Sequence, residues 1–289
     1  MRAMITGAKG RLGRALIAQL AERGAEVCCL ERKAARHHPD VCQRQAFLDL
    51  ARQERPTILL HCAAWTDVDG CARQPERAMR VNANGTRNAA IVAATLQIPI
   101  VYVSSNEVFS GQLGDAPFQE DDRPQPLNPY GRSKWLGEEA LREIWPLHFI
   151  VRTSWLYARG GRNFTQSMLQ AARAGRPLRV VTDEVATPTA TTELATAILA
   201  LIQTGAYGIY HLVNEGSCTR FEFARFILDQ CGRAEIEIEP ILRADWPRAS
   251  TPPAFSALAN QAGKRLGIAL RPWQEALADF LAQEERGLA

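Results

Sequence analysis

The chain has 289 residues, is 46% hydrophobic and 22% charged, and carries a net charge of +3. That composition excludes a disordered or fibrous chain and suffices for one large core, or a core plus a smaller lobe. So small a charge gives no argument for nucleic acid or an anionic membrane as partner, and no run is long enough to span a bilayer.

Residues 1–5 form a short apolar run with no signal-like segment, followed by Thr6-Gly7-Ala8-Lys9-Gly10-Arg11-Leu12-Gly13. Ala15, Leu16, Leu20 and Ala21 then recur at helical spacing until Gly24. The pattern is strand, glycine turn, helix. Gly7 permits a tight turn, Gly10 lets backbone approach a pyrophosphate, and Gly13 allows close helix–strand packing. The spacing is G-x-x-G-x-x-G, and its place directly after the first strand favours dinucleotide binding over a purely structural turn. Residues 25–30 read as a second strand ending at Glu31-Arg32-Lys33. An acid there takes ribose hydroxyls and favours NAD, a base accommodates a 2′-phosphate and favours NADP, and this chain offers both. That strand carries Cys28 and Cys29. Seven cysteines with no Cys-x-x-Cys argue against a disulfide framework and fit a reducing cytosol, so a cytoplasmic location is expected. His37, His38 and Cys42 lack further ligands at metal-binding spacing, and no metal is expected.

Asp40-Val41 precedes a helical segment that ends near Arg55-Pro56. Residues 57–61 form a buried strand running into Cys62-Ala63-Ala64-Trp65-Thr66, where small residues let a cofactor lie close. A helix containing Val81-Asn82-Ala83-Asn84 leads to a strand at 100–105. Such alternation predicts an α/β fold: a Rossmann-type, doubly wound parallel sheet with helices on both faces and ligands at the carboxyl ends of its strands. The glycine turn, Ala63-Ala64 and Ser105 all fall at that edge.

After Ser104-Ser105-Asn106-Glu107-Val108-Phe109 comes a polar, Pro-rich loop and then Asn128-Pro129-Tyr130-Gly131-Arg132-Ser133-Lys134. Asn128 reads as a helix N-cap and Pro129 as the first helical residue. Tyr130 and Lys134 then share a helix face. With five Tyr and four Lys in the chain, such a pair arises by chance roughly once in fourteen, so its weight comes from its surroundings. An ammonium beside a phenol lowers its pKa, and Ser105 on a separate strand can hold a carbonyl oxygen before it. The expected chemistry is proton transfer for carbonyl reduction.

Beyond Leu156 the strict alternation breaks. Helices are expected at 163–174, 191–203, 220–231 and 272–282, and strands at 178–181, 209–213 and 235–241. Residues 1–156 are expected to form the NAD(P)-binding domain, with segments near 178–213 returning to it. Residues 157–289 mostly build a smaller, interleaved substrate-binding lobe. Trp155, Arg152, Arg220 and Arg248 are substrate-site candidates.

The glycine turn, Ala63-Ala64, Ser105 and Tyr130-x-x-x-Lys134 resemble the extended short-chain dehydrogenase/reductases. Val103-Ser104-Ser105, Pro126-Leu127-Asn128-Pro129-Tyr130, Gly137-Glu138, Arg152-Thr153-Ser154-Trp155-Leu156-Tyr157 with Asn163-Phe164, Thr187-Pro188-Thr189 and Gly208-Ile209-Tyr210-His211-Leu212 are similar, across nearly the whole chain, to the dTDP-4-dehydrorhamnose reductase family. The resemblance implies NADPH or NADH as cofactor and a nucleotide-sugar substrate, dTDP-linked, reduced at its C4 carbonyl. It implies Tyr130 as proton donor, Lys134 as its tuner and ribose ligand, and Ser105 on the carbonyl. Gly10, Arg11 and Leu12 would line the pyrophosphate, Glu31, Asp40 and Val41 the adenosine, and Ala64, Trp65 and Thr66 the cofactor further along. Ser105, Asn106, Glu107 and Trp155 would face the sugar. A homodimer is compatible with it. The family usually reads Thr-Asp-Tyr where this chain has Ser105-Asn106-Glu107, so the departure falls on the sugar-facing loop. Arg220 stands where members often carry Trp, and Arg14-Ala15-Leu16 lacks the glutamate some members use for magnesium. Two other readings stay open: a cofactor-binding regulatory subunit similar to the methionine adenosyltransferase beta subunit, and a nucleotide-sugar epimerase or dehydratase.

Overall fold

A computed structural model describes residues 1–30, 40–111, 116–160 and 163–286. The first layer is built from β1 (Arg2–Thr6), α1 (Arg11–Glu22), β2 (Glu26–Leu30), α2 (Arg44–Glu54) and β3 (Ile58–His61). It continues through α3 (Val68–Arg73), α4 (Pro75–Ala78), a π-helical turn at Met79–Asn84, α5 (Gly85–Leu96), β4 (Ile100–Val103), α6 (Pro129–Ile144) and β5 (His148–Arg152). The rest comprises β6 (Leu156–Tyr157), α7 (Phe164–Arg173), β7 (Leu178–Val181), β8 (Val185–Ala186), β9 (Thr189–Ala190) and α8 (Thr191–Thr204). It ends with β10 (Gly208–His211), β11 (Cys218–Thr219), α9 (Arg220–Gln230), β12 (Ile238–Ile241), α10 (Gln261–Arg265) and α11 (Trp273–Arg286).

Six strands form one parallel sheet in the order β10-β5-β4-β3-β1-β2. Side-chain alternation divides its two faces. Ala3, Ile5, Ile58, Leu60, Val101, Phe149 and Val151 pack into one core with α1 and α8. Met4, Leu59, Ile100, Tyr102 and Ile150 pack into the other with α2 and α5, and Leu141 of α6 joins them. Helices on both faces explain why the strands read as continuous apolar runs. The order reverses between β1 and β3, which opens a crevice at their carboxyl ends.

A third core, around Tyr157, Met168, Leu169, Phe223, Ile227, Trp273 and Leu277, belongs to α7, α9 and α11. Within the segment expected to return to the main sheet, β10 joins β5 and α8 packs on α1. The exception is β7, which pairs with β12 in a separate two-stranded sheet. The two-residue strands β6, β8, β9 and β11 were not expected, because two residues carry no periodicity to read. No helix among the described residues is long and apolar enough to cross a membrane.

Candidate active site

The turn after β1 is built on glycine. Gly7 has φ +70°, and a Cβ there would lie 2.8 Å from the Ala63 backbone. A Cβ on Gly13 would lie 2.4 Å from the Gly7 carbonyl oxygen. Gly10 caps α1 without a side chain, its N–H donating to Gly7 O at 2.9 Å, and the first turn of α1 holds no acid. Amides are thereby left facing the crevice with no carboxylate competing for them, which suits an anionic pyrophosphate.

Gly7, Gly10, Arg11, Leu12 and Gly13 line one cleft of about 750 Å³. Ala63, Ala64, Trp65 and Thr66 form its next wall, with Asp40 and Val41 at the β2 end. The Trp65 backbone is clamped by Asn82, whose Oδ1 accepts from Trp65 N at 2.7 Å and whose Nδ2 donates to Trp65 O at 3.2 Å and Ser133 Oγ at 2.9 Å. Asn82 lies in the π-helical turn, a local irregularity that places its amide toward this loop. Glu31 and Arg32, expected near the adenosine, lie outside the described residues, as do His37 and His38. Among the described residues no group of three or more His, Cys, Asp or Glu is placed to hold a metal ion.

The catalytic candidates meet on the opposite wall of the same cleft. Asn128 caps α6, its Oδ1 accepting from Gly131 N at 2.9 Å, and Pro129 opens the helix. Tyr130 is 8% and Lys134 2% exposed. The Lys134 ammonium donates to Val103 O at 2.7 Å and lies 4.3 Å from the Tyr102 ring centroid. Ser105, at the N-cap of a short 3₁₀ turn, lines the same cleft as Tyr130; its Oγ donates to Asn106 Oδ1 at 3.2 Å and accepts from Glu107 N at 3.2 Å.

The expected lowering of the Tyr130 pKa by Lys134 is not what the fold delivers. Burial pushes the phenol up and the Glu107 carboxylate adds to it, against a smaller pull from the Ser105 hydroxyl and the Arg11 charge. Lys134 is itself pulled down to about 7, by burial first, with Glu138 opposing. The phenol therefore stays protonated at neutral pH, the form a proton donor requires.

The sugar-facing candidates divide. Asn106 is 5% exposed and donates to Ser256 Oγ at 2.7 Å, tying the turn to the C-terminal segment. Glu107 Oε2 accepts from Asn128 Nδ2 at 2.6 Å. Burial raises its pKa, while Asn128 and then Arg248 oppose the rise. Trp155 lines the cleft with φ +38°, a conformation a bulky residue adopts only when its surroundings impose it. The Arg220 guanidinium stacks 3.5 Å above its ring and lies 3.6 Å from Glu184. Arg248 bridges Asp69 at 3.2 Å and Glu184 at 3.8 Å. Arg152 is not a substrate residue: it is 2% exposed and committed to Glu138.

Thr153 and Ser154 were missed. Both line the cleft, and their hydroxyls are buried without a hydrogen-bond partner among the described residues. Buried orphan hydroxyls at a cleft call for a polar ligand group, which fits a bound dinucleotide or substrate. The Arg-Thr-Ser-Trp string pointed at them, but its charged and aromatic members drew the assignment. Arg77, which stacks 4.3 Å over Trp65 at the cleft, carried no sequence signal.

A switch-point crevice, a glycine-built phosphate cradle and a buried Ser-Tyr-Lys set define an extended short-chain dehydrogenase/reductase. The sequence matches the RmlD substrate binding domain family over residues 1–286, and the chain belongs to that family. It is 36% identical over 282 residues to the spore coat polysaccharide biosynthesis protein SpsK of Bacillus subtilis, covering 98% of this chain and 97% of that one. It is 34% identical to dTDP-4-dehydrorhamnose reductase of Mycobacterium tuberculosis, covering 97% and 92% of the two chains. Its fold superposes with a TM-score of 0.92 on dTDP-4-dehydrorhamnose reductase of Bacillus anthracis in complex with NADP, at 32% identity and 98% and 99% coverage.

Proposed function

We propose that this chain is a nicotinamide-dependent reductase of the C4 carbonyl of a dTDP-linked deoxy-sugar, converting dTDP-4-dehydro-β-L-rhamnose to dTDP-L-rhamnose. The observation that carries the reading is the meeting of Ser105, Tyr130 and buried Lys134 in the cleft that holds the glycine turn. When bound, the reduced nicotinamide supplies the hydride. Gly10, Arg11 and Leu12 would hold its pyrophosphate, Asp40 and Val41 its adenosine end, and Lys134 its ribose hydroxyls. Ser105 Oγ and the Tyr130 hydroxyl bind the substrate carbonyl oxygen, and Tyr130 releases its proton to that oxygen as negative charge builds there. Such general-acid help is worth about 10²–10⁴ in rate. Glu107 and Trp155 border the sugar.

NADPH is the proposed preference, supported by the NADP complex of the Bacillus anthracis relative. A cytoplasmic homodimer is the proposed working form. The two other readings gain no observation: a non-catalytic subunit has no use for an intact Ser-Tyr-Lys set, and likeness to epimerases below 25% identity speaks only of the fold. The test follows reduced-nicotinamide absorbance with dTDP-4-dehydro-β-L-rhamnose and NADPH or NADH. Turnover dependent on Tyr130 supports the proposal; intact cofactor binding with no turnover sinks it.

A further inference from the structure

Two residues lie directly behind the cleft wall without lining it. Glu138 of α6 is 1% exposed and Arg152, at the end of β5, is 2% exposed. They form a two-pronged ion pair: Arg152 Nη2 donates to Glu138 Oε2 at 2.7 Å, and Nε donates to Oε1 at 3.1 Å and Oε2 at 3.2 Å. Ser104 Oγ donates to Glu138 Oε1 at 2.5 Å, and Ser104 is the neighbour of Ser105. The guanidinium also donates to Glu120 O at 3.2 Å and stacks 5.1 Å from the Phe109 ring. Stability alone is a weak reason to bury such a pair, because apolar residues of similar volume often serve as well or better.

The placement supplies another reason. Glu138 lies four residues beyond Lys134 on α6, one turn along the same face. The groups facing Lys134 from the other elements are uncharged near neutral pH. The Cys62 thiol, after β3, is pushed up to about 12, and His61 of β3 is pulled down to about 3, both by burial first. The Tyr102 phenol of β4 and the Tyr130 phenol of α6 are raised, again by burial first. Glu138 is the carboxylate that favours the Lys134 charge against burial.

We propose that Glu138 is a positioning residue that raises the share of Lys134 held as ammonium at neutral pH, and that Arg152 sets how much of the Glu138 field reaches it. Lys134 donates to the Val103 carbonyl, and the next residue, Ser104, donates to Glu138, so the carboxylate is tied to the same strand end as the ammonium, while Arg152 reaches that carboxylate from β5 and offsets its charge. The proposal rests on the reductase reading only for the use Lys134 makes of its charge.

The chain has four lysines, so ¹³C-lysine labelling resolves them, and Lys134→Arg assigns the signal. The measurement is the pH midpoint of the Lys134 ¹³Cε shift. Glu138→Gln lowers the midpoint by about one to two pH units, the scale for unit charges at the roughly 6 Å spacing typical of i,i+4 helix neighbours in an effective dielectric of about 20. Arg152→Met raises it, because Glu138 is left uncompensated. The Glu138→Leu/Arg152→Met double variant falls between the wild type and Glu138→Gln, and its apolar pair keeps the test available should a single variant fail to fold. A merely structural pair gives no such opposition: opening the site moves Lys134 toward its solvent value in every variant. Unchanged midpoints, or both single variants shifting the same way, overturn the proposal. The high-pH limb of kcat/KM follows the same order. Absence of turnover with dTDP-4-dehydro-β-L-rhamnose sinks the reductase reading instead, and the midpoints still decide the role of Glu138.

Discussion

Replacing Asn128 with alanine removes three hydrogen bonds where the catalytic helix, the sugar-facing turn and the C-terminal segment meet. Asn128 Oδ1 accepts from Gly131 N at 2.9 Å, and its Nδ2 donates to Glu107 Oε2 at 2.6 Å and Thr251 O at 3.2 Å. Loss of an N-cap costs about 1 kcal/mol. Loss of a bond to a carboxylate costs about 1.5–3 kcal/mol, and half-burial of Glu107 argues for the lower end because water replaces part of it. The long bond to Thr251 adds about 0.5 kcal/mol. The sum is about 3 kcal/mol at neutral pH. The sign of its pH dependence follows from Glu107, whose folded pKa is already raised by burial with Asn128 as the leading opposing influence. Raising it further means that stability present below the unfolded value of about 4.5 is lost over a wider span, and so to a greater total, as pH climbs through the folded one. The gap between Asn128→Ala and wild type therefore narrows on acidification. Urea unfolding at about pH 7.5 and about pH 5 measures it. Asn128→Ser keeps the cap and should recover about 1 kcal/mol. Asn128→Asp keeps the cap but sets a second carboxylate against Glu107, so it should be worse than Ser at neutral pH and improve in acid. A penalty below about 1 kcal/mol that ignores pH would refute the three-way junction.

Tyr130→Phe should lower kcat by about 10²–10⁴ while leaving NADPH affinity, read by fluorescence titration, within a few fold; a drop under tenfold removes Tyr130 as the proton donor. Gly13→Ala tests the cradle by its sign. Helix propensity alone predicts a gain of about 1 kcal/mol. A Cβ 2.4 Å from the Gly7 carbonyl oxygen and 2.8 Å from Ala8 Cα predicts a loss of about 2 kcal/mol or more together with weaker cofactor binding. His61 is fully buried between Thr6 and Thr86 with its pKa pulled down to about 3 by burial. Because its folded pKa lies below the unfolded one, the stability present above about pH 6.5 is lost as pH falls toward 3, at about 1.4 kcal/mol per pH unit. His61→Gln should remove that slope in urea unfolding between about pH 6 and 5; an unchanged slope would show that His61 is not buried neutral.

Much of the fold and part of the site were legible because they rest on local chemistry. The glycines at 7, 10 and 13 declare a turn through φ and steric room. Asn128-Pro129 declares a helix start, and the apolar runs at β1, β3 and β4 declare strands buried on both faces. Those features also place Ser105, Tyr130 and Lys134 at one sheet edge, where the cleft lies. What tertiary structure alone decided concerns partners distant in sequence. Nothing near Arg152 says that it meets Glu138 rather than a substrate, and nothing near Arg220 says that it stacks on Trp155. The separate pairing of β7 with β12 joins residues 60 apart, Leu178 with Ile238 through Val181 with Ile241, and leaves no local mark. The direction of the Tyr130 shift belongs to the same class. A lysine four residues away is visible in the sequence and argues for a lower pKa, but desolvation is a property of everything packed around the phenol. Sequence therefore singled out the groups proposed for the chemistry and the edge on which they stand; only the packed structure decided how acidic they are, because burial is set by the whole fold at once.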